Sequence, residues 1–261
     1  MFEHDYEYEL TDKSIRITKY TGKELRVEVP DRIGGLCVQE IGDYAFSGCP
    51  AAELHLPPGI VRIGRYAFYN CSALKKFSFF NRLRDFGAGA FTGCHRISHI
   101  RIELEENEAS SLRDVLMEVA EELLVEYHYG GKTALLLFPE FFEEGVENTP
   151  ARIIVSQMHG SGLLYRNCFV DRKLQFQEYD RRFANALGQE SEDFLIRLAC
   201  CRLRYPFLLS SSSRSVYETY LKEHFQHALE YWRRLDDRAM TGFLMNLHHQ
   251  GPRIARPDFD L

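Results

Sequence analysis

The string His159-Gly160-Ser161-Gly162 is the part of the sequence whose residue types come closest to those of a catalytic site. A serine near an imidazole is the pairing that nucleophilic catalysis uses. The string does not match the Gly-x-Ser-x-Gly pattern, however, and no strand-to-helix elbow is evident around it. We therefore interpret it as a flexible turn and predict no catalytic residue.

Four histidines near the C-terminus are the second group whose chemistry matters. His224 and His227 are three residues apart and therefore neighbours on one helix surface, while His248 and His249 close the next predicted helix. If these helices are antiparallel, the second pair lies near the start of the first helix rather than at its middle. We predict no metal site, with His224 hydrogen-bonded in the core and His248–His249 solvated.

Cysteines supply the third group. There are seven, an odd number, and Cys49, Cys71 and Cys94 are separated by 22 and 23 residues. This spacing places the three thiols at the same position of a repeat and indicates buried thiols in a reducing compartment. We predict no metal site from them.

The repeat that carries these cysteines organises the N-terminal part of the chain. Ile41–Cys49 returns as Ile63–Cys71 and more loosely as Phe86–Cys94, and an alternating stretch such as Phe77-Ser78-Phe79 follows each copy. A fixed period in this range predicts a stacked solenoid, and the alternation predicts a short strand in each coil. With a weaker first unit at Leu25–Pro30, we predict about three or four coils.

These repeats resemble the BspA-type leucine-rich repeats. That family has a strand ending in Leu-x-Leu-Pro, a second short strand running into Ile-Gly, and then Ala-Phe followed by Cys, as in Leu54–Pro57 and Ile63–Cys71 here. The resemblance covers roughly residues 8–104. It implies a binding or adhesion protein, commonly surface-exposed, whose motif contains no catalytic residue. This chain differs from the commoner pattern in having few repeats and no export signal.

The charge distribution is uneven, although the formal net charge is only −6. Between Val61 and Ile102 there are eight basic residues and one acidic residue, and between Glu103 and Glu126 there are nine acidic residues opposed by Arg113 alone. This asymmetry indicates either solvated faces that partly neutralise each other or a surface that attracts an acidic protein or peptide. Nucleic acid ranks last, because the whole chain is acidic and contains no recognisable nucleic-acid-binding motif.

A predicted amphipathic helix from Leu112 to Glu126 follows the repeats. Its apolar residues recur at helical spacing, and Ser111 with Asp114 resembles a capping box that would open the helix. A last coil cannot leave its interior uncovered. We therefore expect this helix to pack on the final coil as a cap.

The remaining residues are predicted to form a short β segment and then helices. Lys132–Phe138 and Ala151–Ser156 are the predicted strands. Helices are predicted at 174–187 and 191–205, followed by a two-helix hairpin opened by a capping box at Ser215 and Glu218. The fold class is α+β, with a solenoid domain at 1–107 and a second, mainly helical domain at 108–261.

The composition indicates a soluble globular protein, with 45% apolar residues. No apolar run approaches roughly 18 residues, and the start of the chain is acidic and polar where a secretory signal would be basic and then apolar. We therefore predict a cytoplasmic location and no contact with a membrane.

The candidate binding residues are the strand positions that alternate with the core positions and therefore point outward. Stacked coils place them side by side, in a ladder that we expect to become more basic toward the C-terminal coils. The ladder contains Arg26, Glu28, His55, Lys76, Ser78, His99 and Arg101.

These residues predict an intracellular protein-interaction module that binds an acidic peptide or protein surface through the strand face of the solenoid. The alternatives are an enzyme of unknown reaction with a site in residues 127–206, or a binder of another polyanion. No phosphate loop, paired-carboxylate cleft or Cys-x-x-Cys motif is present. We predict a non-enzymatic protein with no cofactor, and the sequence leaves its oligomeric state open.

Overall fold

The structure is a computed structural model that describes residues 5–105, 107–148 and 153–249. Within these ranges, ten strands precede the first helix. They are β1 (Tyr6–Leu10), β2 (Ile15–Tyr20), β3 (Arg26–Glu28), β4 (Arg32–Ile33), β5 (Leu36–Ile41), β6 (Glu53–His55), β7 (Arg62–Ile63), β8 (Lys76–Phe80), β9 (Asp85–Phe86) and β10 (His99–Leu104).

The second part of the chain mixes strands with helices. Its strands are β11 (Leu123–Tyr129), β12 (Lys132–Phe138), β13 (Phe142–Asn148), β14 (Ile153–His159), β15 (Phe169–Val170) and β16 (Lys173–Leu174). Its helices are α1 (Leu112–Met117), α2 (Gly162–Arg166), α3 (Phe176–Arg181), α4 (Phe183–Ala186), α5 (Glu192–Arg204), α6 (Ser211–Glu223), α7 (Phe225–Arg234) and α8 (Arg238–His249).

Two sheets form the walls of the solenoid. Sheet A has the strand order β1-β2-β5-β7-β9, with β4 paired to β5, and sheet B has the order β12-β11-β10-β8-β6-β3. Strands of successive coils pair in parallel, whereas the hairpins β1–β2 and β11–β12 are antiparallel. The predicted solenoid is confirmed, but it has about five turns rather than three or four.

Aromatic rings and thiols fill the interior of the coils. The ring centroids of Phe46 and Phe68 are 5.7 Å apart, and those of Phe68 and Phe91 are 5.4 Å apart. The thiol of Cys71 donates to the carbonyl oxygen of Phe46 at 3.0 Å, and that of Cys94 donates to Phe68 O at the same distance. The predicted interior positions of these residues are therefore confirmed, and each thiol also links its coil to the one before.

The predicted capping helix at Leu112–Glu126 is wrong in its second half. The helix ends at Met117, and β11 then pairs in parallel with β10 as one more strand of sheet B. The apolar residues among residues 123–127 fit both a helical and an alternating pattern. The edge of β10 favours the strand, because it offers hydrogen-bond partners to the backbone groups of residues 123–127. Ser111 also does not cap the helix, because its hydroxyl donates to Leu83 O at 2.9 Å.

Several boundaries in the C-terminal part differ from the predicted ones. The small antiparallel pair is β13–β14, and the predicted helix at 174–187 is divided into α3 and α4. The predicted helix at 191–205 is confirmed as α5, with the Ser191 side chain accepting from Phe194 N. Helix α6 begins after Ser210, which replaces the predicted cap at Ser215. The predicted domain boundary at residue 107 stays a prediction. Residue 107 follows β10, and the strands after it, β11 and β12, continue the same sheet.

Arg166 joins the end of the solenoid to the part that follows. Its guanidinium is buried and donates to the carbonyl oxygens of Leu116, Val119 and Glu121, each at 2.9 Å, and also to those of Gly162 and Pro139. Burial lowers the pKa of Arg166 to about 10, which leaves it charged at neutral pH. One side chain therefore satisfies carbonyls of the end of α1, of the turn between α1 and β11, of the segment after β12, and of α2.

Replacing Phe68 with alanine should lower the free energy of unfolding by about 3–5 kcal/mol. The ring is fully enclosed among Phe46, Phe77 and Phe91, so its removal leaves a cavity. Urea unfolding monitored by circular dichroism measures the change. Arg65→Ala, an exposed change in the same coil, is the control and should alter stability by no more than about 0.5 kcal/mol. A loss below about 1 kcal/mol for Phe68→Ala would show that the ring is not part of the core.

Arg166→Lys should cost at least about 3 kcal/mol in the same measurement, because an ammonium cannot reach all five carbonyl oxygens and leaves buried acceptors unpaired. Arg113→Lys is the matched control. Its guanidinium is exposed and donates to Asn167 Oδ1 at 3.0 Å, so we expect a change of no more than about 0.5 kcal/mol. Equal effects of the two substitutions would contradict the joining role of Arg166.

Candidate functional site

The outward side of sheet B, which we call the strand face, contains all seven predicted binding residues. In-register pairing aligns Arg26, Glu53, Lys76 and His99 in one row across four strands. A second row contains Glu28, His55, Ser78, Arg101 and Glu126. Each strand alternates, so the residues between these rows are buried in the core.

Three acidic residues that were not predicted also lie on the strand face. Glu53 is 3.3 Å from Lys76 Nζ, 3.7 Å from Arg26 Nη1 and 3.6 Å from His55 Nε2. Glu103 is 2.5 Å from the guanidinium of Arg101. These contacts neutralise the basic side chains of the ladder within the face itself.

Glu126 is the centre of the third set of contacts. Its carboxylate is 2.9 Å from His99 Nε2, 3.4 Å from His128 Nε2 and 4.0 Å from Arg101 Nη1. The pKa of Glu126 is lowered to about 2. The hydrogen bond from His99 is the largest cause, burial opposes it, and the charge of His99 lowers the pKa further. Glu126 therefore remains ionised throughout the physiological pH range.

The charge of the strand face differs from the expected basic gradient, because Glu103 and Glu126 oppose the basic residues of the C-terminal coils. The sequence offered Glu53 as an outward residue, because it lies two positions before His55 and both alternate with the buried Leu54. Glu126 was hidden by its assignment to a helix. The face carries three permanent cations and four carboxylates, namely Arg26, Lys76 and Arg101 with Glu28, Glu53, Glu103 and Glu126.

Sheet A carries a similar ladder on its own outward side. Glu9, Arg16, Glu40, Arg62 and Asp85 are aligned across five strands, with acid and base alternating. Arg16 Nε is 2.7 Å from Glu40 Oε2, and Arg62 Nε is 3.2 Å from Asp85 Oδ2. A polar cavity of about 270 Å³ opens between the two arginines. Alternating charge is thus common to both sheets and also serves to hold neighbouring strands in register.

The string His159-Gly160-Ser161-Gly162 has a packing role. Ser161 is buried, and its hydroxyl and backbone N–H donate to Glu190 Oε1 at 2.5 and 2.9 Å. A side chain at Gly160 would meet the Glu140 carbonyl, and one at Gly162 would collide with the carbonyls of Pro139 and Glu140. The string connects the last residue of β14 to the start of α2, so it is a strand-to-helix turn, which we did not predict, rather than a flexible turn. A hydroxyl enclosed in this way cannot contact a substrate.

Residues 127–206, the segment of the enzyme alternative, contain a buried charged network. Arg202 donates to the two carboxylate oxygens of Asp180 at 2.7 and 2.9 Å, and the hydroxyl of Tyr217 donates to Asp180 Oδ1 at 2.9 Å. Both charged side chains have no exposed surface. Cys200 and Cys201 are both buried as well, although they are adjacent on α5. This network supports the packing of α3, α5 and α6.

The histidines of the C-terminal helices contact acids at the start of α5. His224 Nδ1 is 2.6 Å from Glu192 Oε1, and His227 Nδ1 is 2.9 Å from the same oxygen. The other ring nitrogen of His227 is 2.7 Å from Asp193 Oδ1. A neutral imidazole has only one N–H, so two carboxylate contacts fit the doubly protonated ring. Within the described ranges, no three His, Cys, Asp or Glu side chains are arranged to hold a metal ion.

Stability should fall as the pH rises above about 6.5, the ordinary pKa of histidine, because His227 is stabilised as a cation. Partial burial would lower its pKa, but the hydrogen bonds to Asp193 and Glu192 outweigh it and raise the pKa above the ordinary 6.5. The contribution of a raised pKa is complete below the unfolded value and is lost as the pH passes through the folded value. Urea unfolding between about pH 6 and pH 8.5 measures the loss.

His227→Gln is the control for this prediction, since glutamine can hydrogen-bond but cannot titrate. The decrease in stability between about pH 6 and pH 8.5 should be smaller in the variant than in the wild type. Arg234, which lies 3.1 Å from Asp193 Oδ2, and His224 face the same acids and remain in both proteins. Identical pH profiles would show that His227 makes no cationic contribution.

The parallel strands, repeated interior residues and outward polar face define a leucine-rich-repeat solenoid. Residues 33–113 match the BspA type leucine rich repeat region in six copies, and this part of the chain is therefore a BspA-type repeat region. The region that follows it is unassigned to any family. The comparison with curated proteins gave no match.

Three solved structures are similar to part of this chain. A leucine rich cell surface protein from Faecalibacterium prausnitzii is 27% identical over 41% of this chain and 30% of its own, with a TM-score of 0.32. A leucine-rich repeat protein from Bacteroides capillosus is 22% identical over 39% and 84%, with a TM-score of 0.36. The leucine rich repeat protein of T. pallidum is 23% identical over 45% and 78%, with a TM-score of 0.28. The chain thus matches less than a third of the Faecalibacterium protein.

A leucine-rich-repeat fold suggests a protein-interaction module, and proteins built on it are typically non-enzymatic. Among the helices that the structure describes, none combines the length and the apolar character needed to cross a bilayer.

Proposed function

We propose that this protein is a protein-interaction module that binds its partner through the strand face of sheet B. The observation that carries the proposal is the alignment of Arg26, Glu28, His55, Lys76, Ser78, His99 and Arg101 in two rows on one side of a single sheet. A rigid β-sheet presents such side chains at fixed spacing, which favours recognition of another ordered surface.

The charge balance of the face bears on the partner. Few cations of the strand face lack an ion-pair partner, since Lys76 already contacts Glu53 and Arg101 already contacts Glu103. An acidic partner must compete with these internal carboxylates, and the exchange of one pair for another yields little net affinity. We therefore propose a polar protein surface whose acids meet Lys76 and Arg101 and whose donors meet Glu28 and Glu126.

The two alternatives receive less support. A general polyanion would meet four carboxylates against three permanent cations on the strand face, which opposes binding. An enzyme with a site in residues 127–206 would need reactive groups open to a substrate. The nucleophile candidate Ser161 and the charged pair Arg202–Asp180 of that segment are buried and hydrogen-bonded.

A cytoplasmic location remains part of the proposal. All seven cysteines are free thiols, and six of them are buried. Unpaired thiols in this number are typical of a reducing compartment.

The experiment compares proteins captured from a cell lysate by the wild-type chain and by two variants, using quantitative mass spectrometry. The face variant replaces Lys76, His99 and Arg101 with serine. The control variant replaces Arg62, Arg65 and His95 with serine, which removes the same number of arginine or lysine and histidine side chains from the same coils but off the strand face. A partner of the strand face should bind the wild type and the control variant and should be depleted about tenfold on the face variant.

Binding of a purified partner at two salt concentrations completes the test. The face variant should bind more weakly and with a smaller salt dependence, because two of the three permanent cations of the face are removed. A captured protein that binds the face variant with unchanged affinity and unchanged salt dependence would contradict the proposal and move the contact to residues 108–261.

A further inference from the structure

The outer edge of sheet B is the strand β12, which belongs to a hairpin with β11. The turn is Gly130-Gly131, with φ of 57° and 73°, and it makes Tyr129 and Lys132 the first pair of the ladder. Residues beside a two-residue turn of this type hydrogen-bond to each other, and alternate residues of an antiparallel strand direct both backbone groups away from the partner. The backbone groups of Thr133, Leu135 and Leu137 therefore point toward the outer edge.

The outer edge is covered at one end and open at the other. The carbonyl oxygen of Leu137 accepts from the hydroxyl of Tyr179 at 2.6 Å, so α3 covers this end. In the described part of the chain, no backbone hydrogen bond outside the hairpin reaches Thr133 or Leu135. These residues leave two N–H and two C=O groups available to a further strand.

A cavity of about 540 Å³ lies between this open edge and the loop Tyr205–Leu208. Leu208 is 54% exposed and has a positive φ of 50°, a conformation that costs free energy in a residue other than glycine. The backbone of the loop is fixed by Arg202, which donates to Phe207 O at 3.2 Å and to Tyr205 O at 3.5 Å. The exposed leucine is thus presented by a fixed backbone.

Two cations stand at this cavity. The ammonium of Lys132 is 6.0 Å from the ring centroid of Phe207, and the guanidinium of Arg204 is 5.8 Å from that of Phe243. Among the described residues, neither cation forms an ion pair. The acids Glu108 and Glu178 line a neighbouring cavity that shares Leu208. The site therefore combines an apolar floor, a free strand edge and two cations that form no ion pair with a described residue.

We propose that an extended peptide with apolar and acidic side chains two residues apart, and therefore on one face, pairs with β12 at Thr133 and Leu135. Its backbone bonds to the free edge, one apolar side chain enters the cavity beside Leu208, and its carboxylates meet Lys132 and Arg204. This is a second interaction surface, separate from the strand face. An acidic peptide is preferred over a second copy of this chain as the occupant. A second copy of β12 would bring another Lys132 and Arg204 to the same edge with no acid to balance them.

A random heptapeptide library displayed on phage, selected against the immobilised full chain, tests the chemistry of the partner. Enriched peptides should carry an apolar residue with an acidic residue two positions away, so that both face the cavity. Selection of basic peptides, or of peptides without this spacing, would overturn the proposal. Binding of a selected, fluorescently labelled peptide is then measured by anisotropy.

Two substitutions at one position test the backbone pairing. Thr133→Pro removes an N–H that points away from β11, so the hairpin is kept while the edge is blocked. Thr133→Val is the matched control, since it removes the hydroxyl that contacts His128 Nδ1 at 3.0 Å but keeps the N–H. The peptide should bind Thr133→Val as tightly as the wild type and should bind Thr133→Pro at least about tenfold more weakly. Equal affinities for the wild type and a folded Thr133→Pro would overturn the proposal.

Charge reversal keeps the test decisive if the proline variant does not fold. The combined variant Lys132→Glu and Arg204→Glu changes exposed side chains and should weaken the peptide about tenfold or more, with reduced dependence on salt. The variant of Lys76, His99 and Arg101 described above should bind the peptide normally, which separates this site from the strand face. Unchanged peptide binding by the charge-reversed variant, or a dimer that Thr133→Pro abolishes in light scattering, would show a different occupant.

Discussion

In-register pairing of the strands of sheet B is the constraint on which the rest of the structure depends. It aligns one buried residue from each strand in a continuous core column, namely Val27, Leu54, Phe77, Ile100, Val125 and Leu136. A slip of one residue would turn the whole column toward solvent. Burial of the column is therefore what orients the residues on either side of it, and the strand face owes its two rows to the packing of the interior.

The same register explains why the outward charges neutralise one another. Side chains aligned across neighbouring strands are about 5 Å apart, so unlike charges stabilise a pair and like charges destabilise it. Sheet A follows this rule strictly from Glu9 through Arg16 and Glu40 to Asp85, and sheet B follows it at Arg26, Glu53 and Lys76. A partner of such a face exchanges existing ion pairs for new ones. Its specificity therefore rests on geometry more than on net charge.

The repeated residues made the solenoid predictable, whereas single events at its end did not. Each copy of Ala-Phe and Cys confirms the others, so the interior roles of Phe46, Phe68 and Cys71 followed from the sequence. Residues 112–126 occur once, and their apolar residues fit a helix and a strand nearly equally. The edge of β10 decides between the two, and that edge is a property of the tertiary structure. The error at Leu112–Glu126 also hid Glu126, and with it the acid that compensates His99 and Arg101.

The way the solenoid ends accounts for the open edge at β12. A parallel sheet can always accept another parallel strand, and a helix placed over the end is one way to stop it. Here the chain reverses at Gly130-Gly131, and antiparallel β12 replaces the next coil. Tyr179 and Arg166 then fix the far end of β12 and the segment after it, because they bond to the carbonyls of Leu137 and Pro139. No comparable contact reaches the backbone of Thr133 and Leu135 in the described residues. Closing the solenoid by reversal thus leaves an unpaired edge only along a short stretch of β12 beside Lys132, among the described residues. That stretch is short enough for a stable protein and ordered enough to bind a peptide.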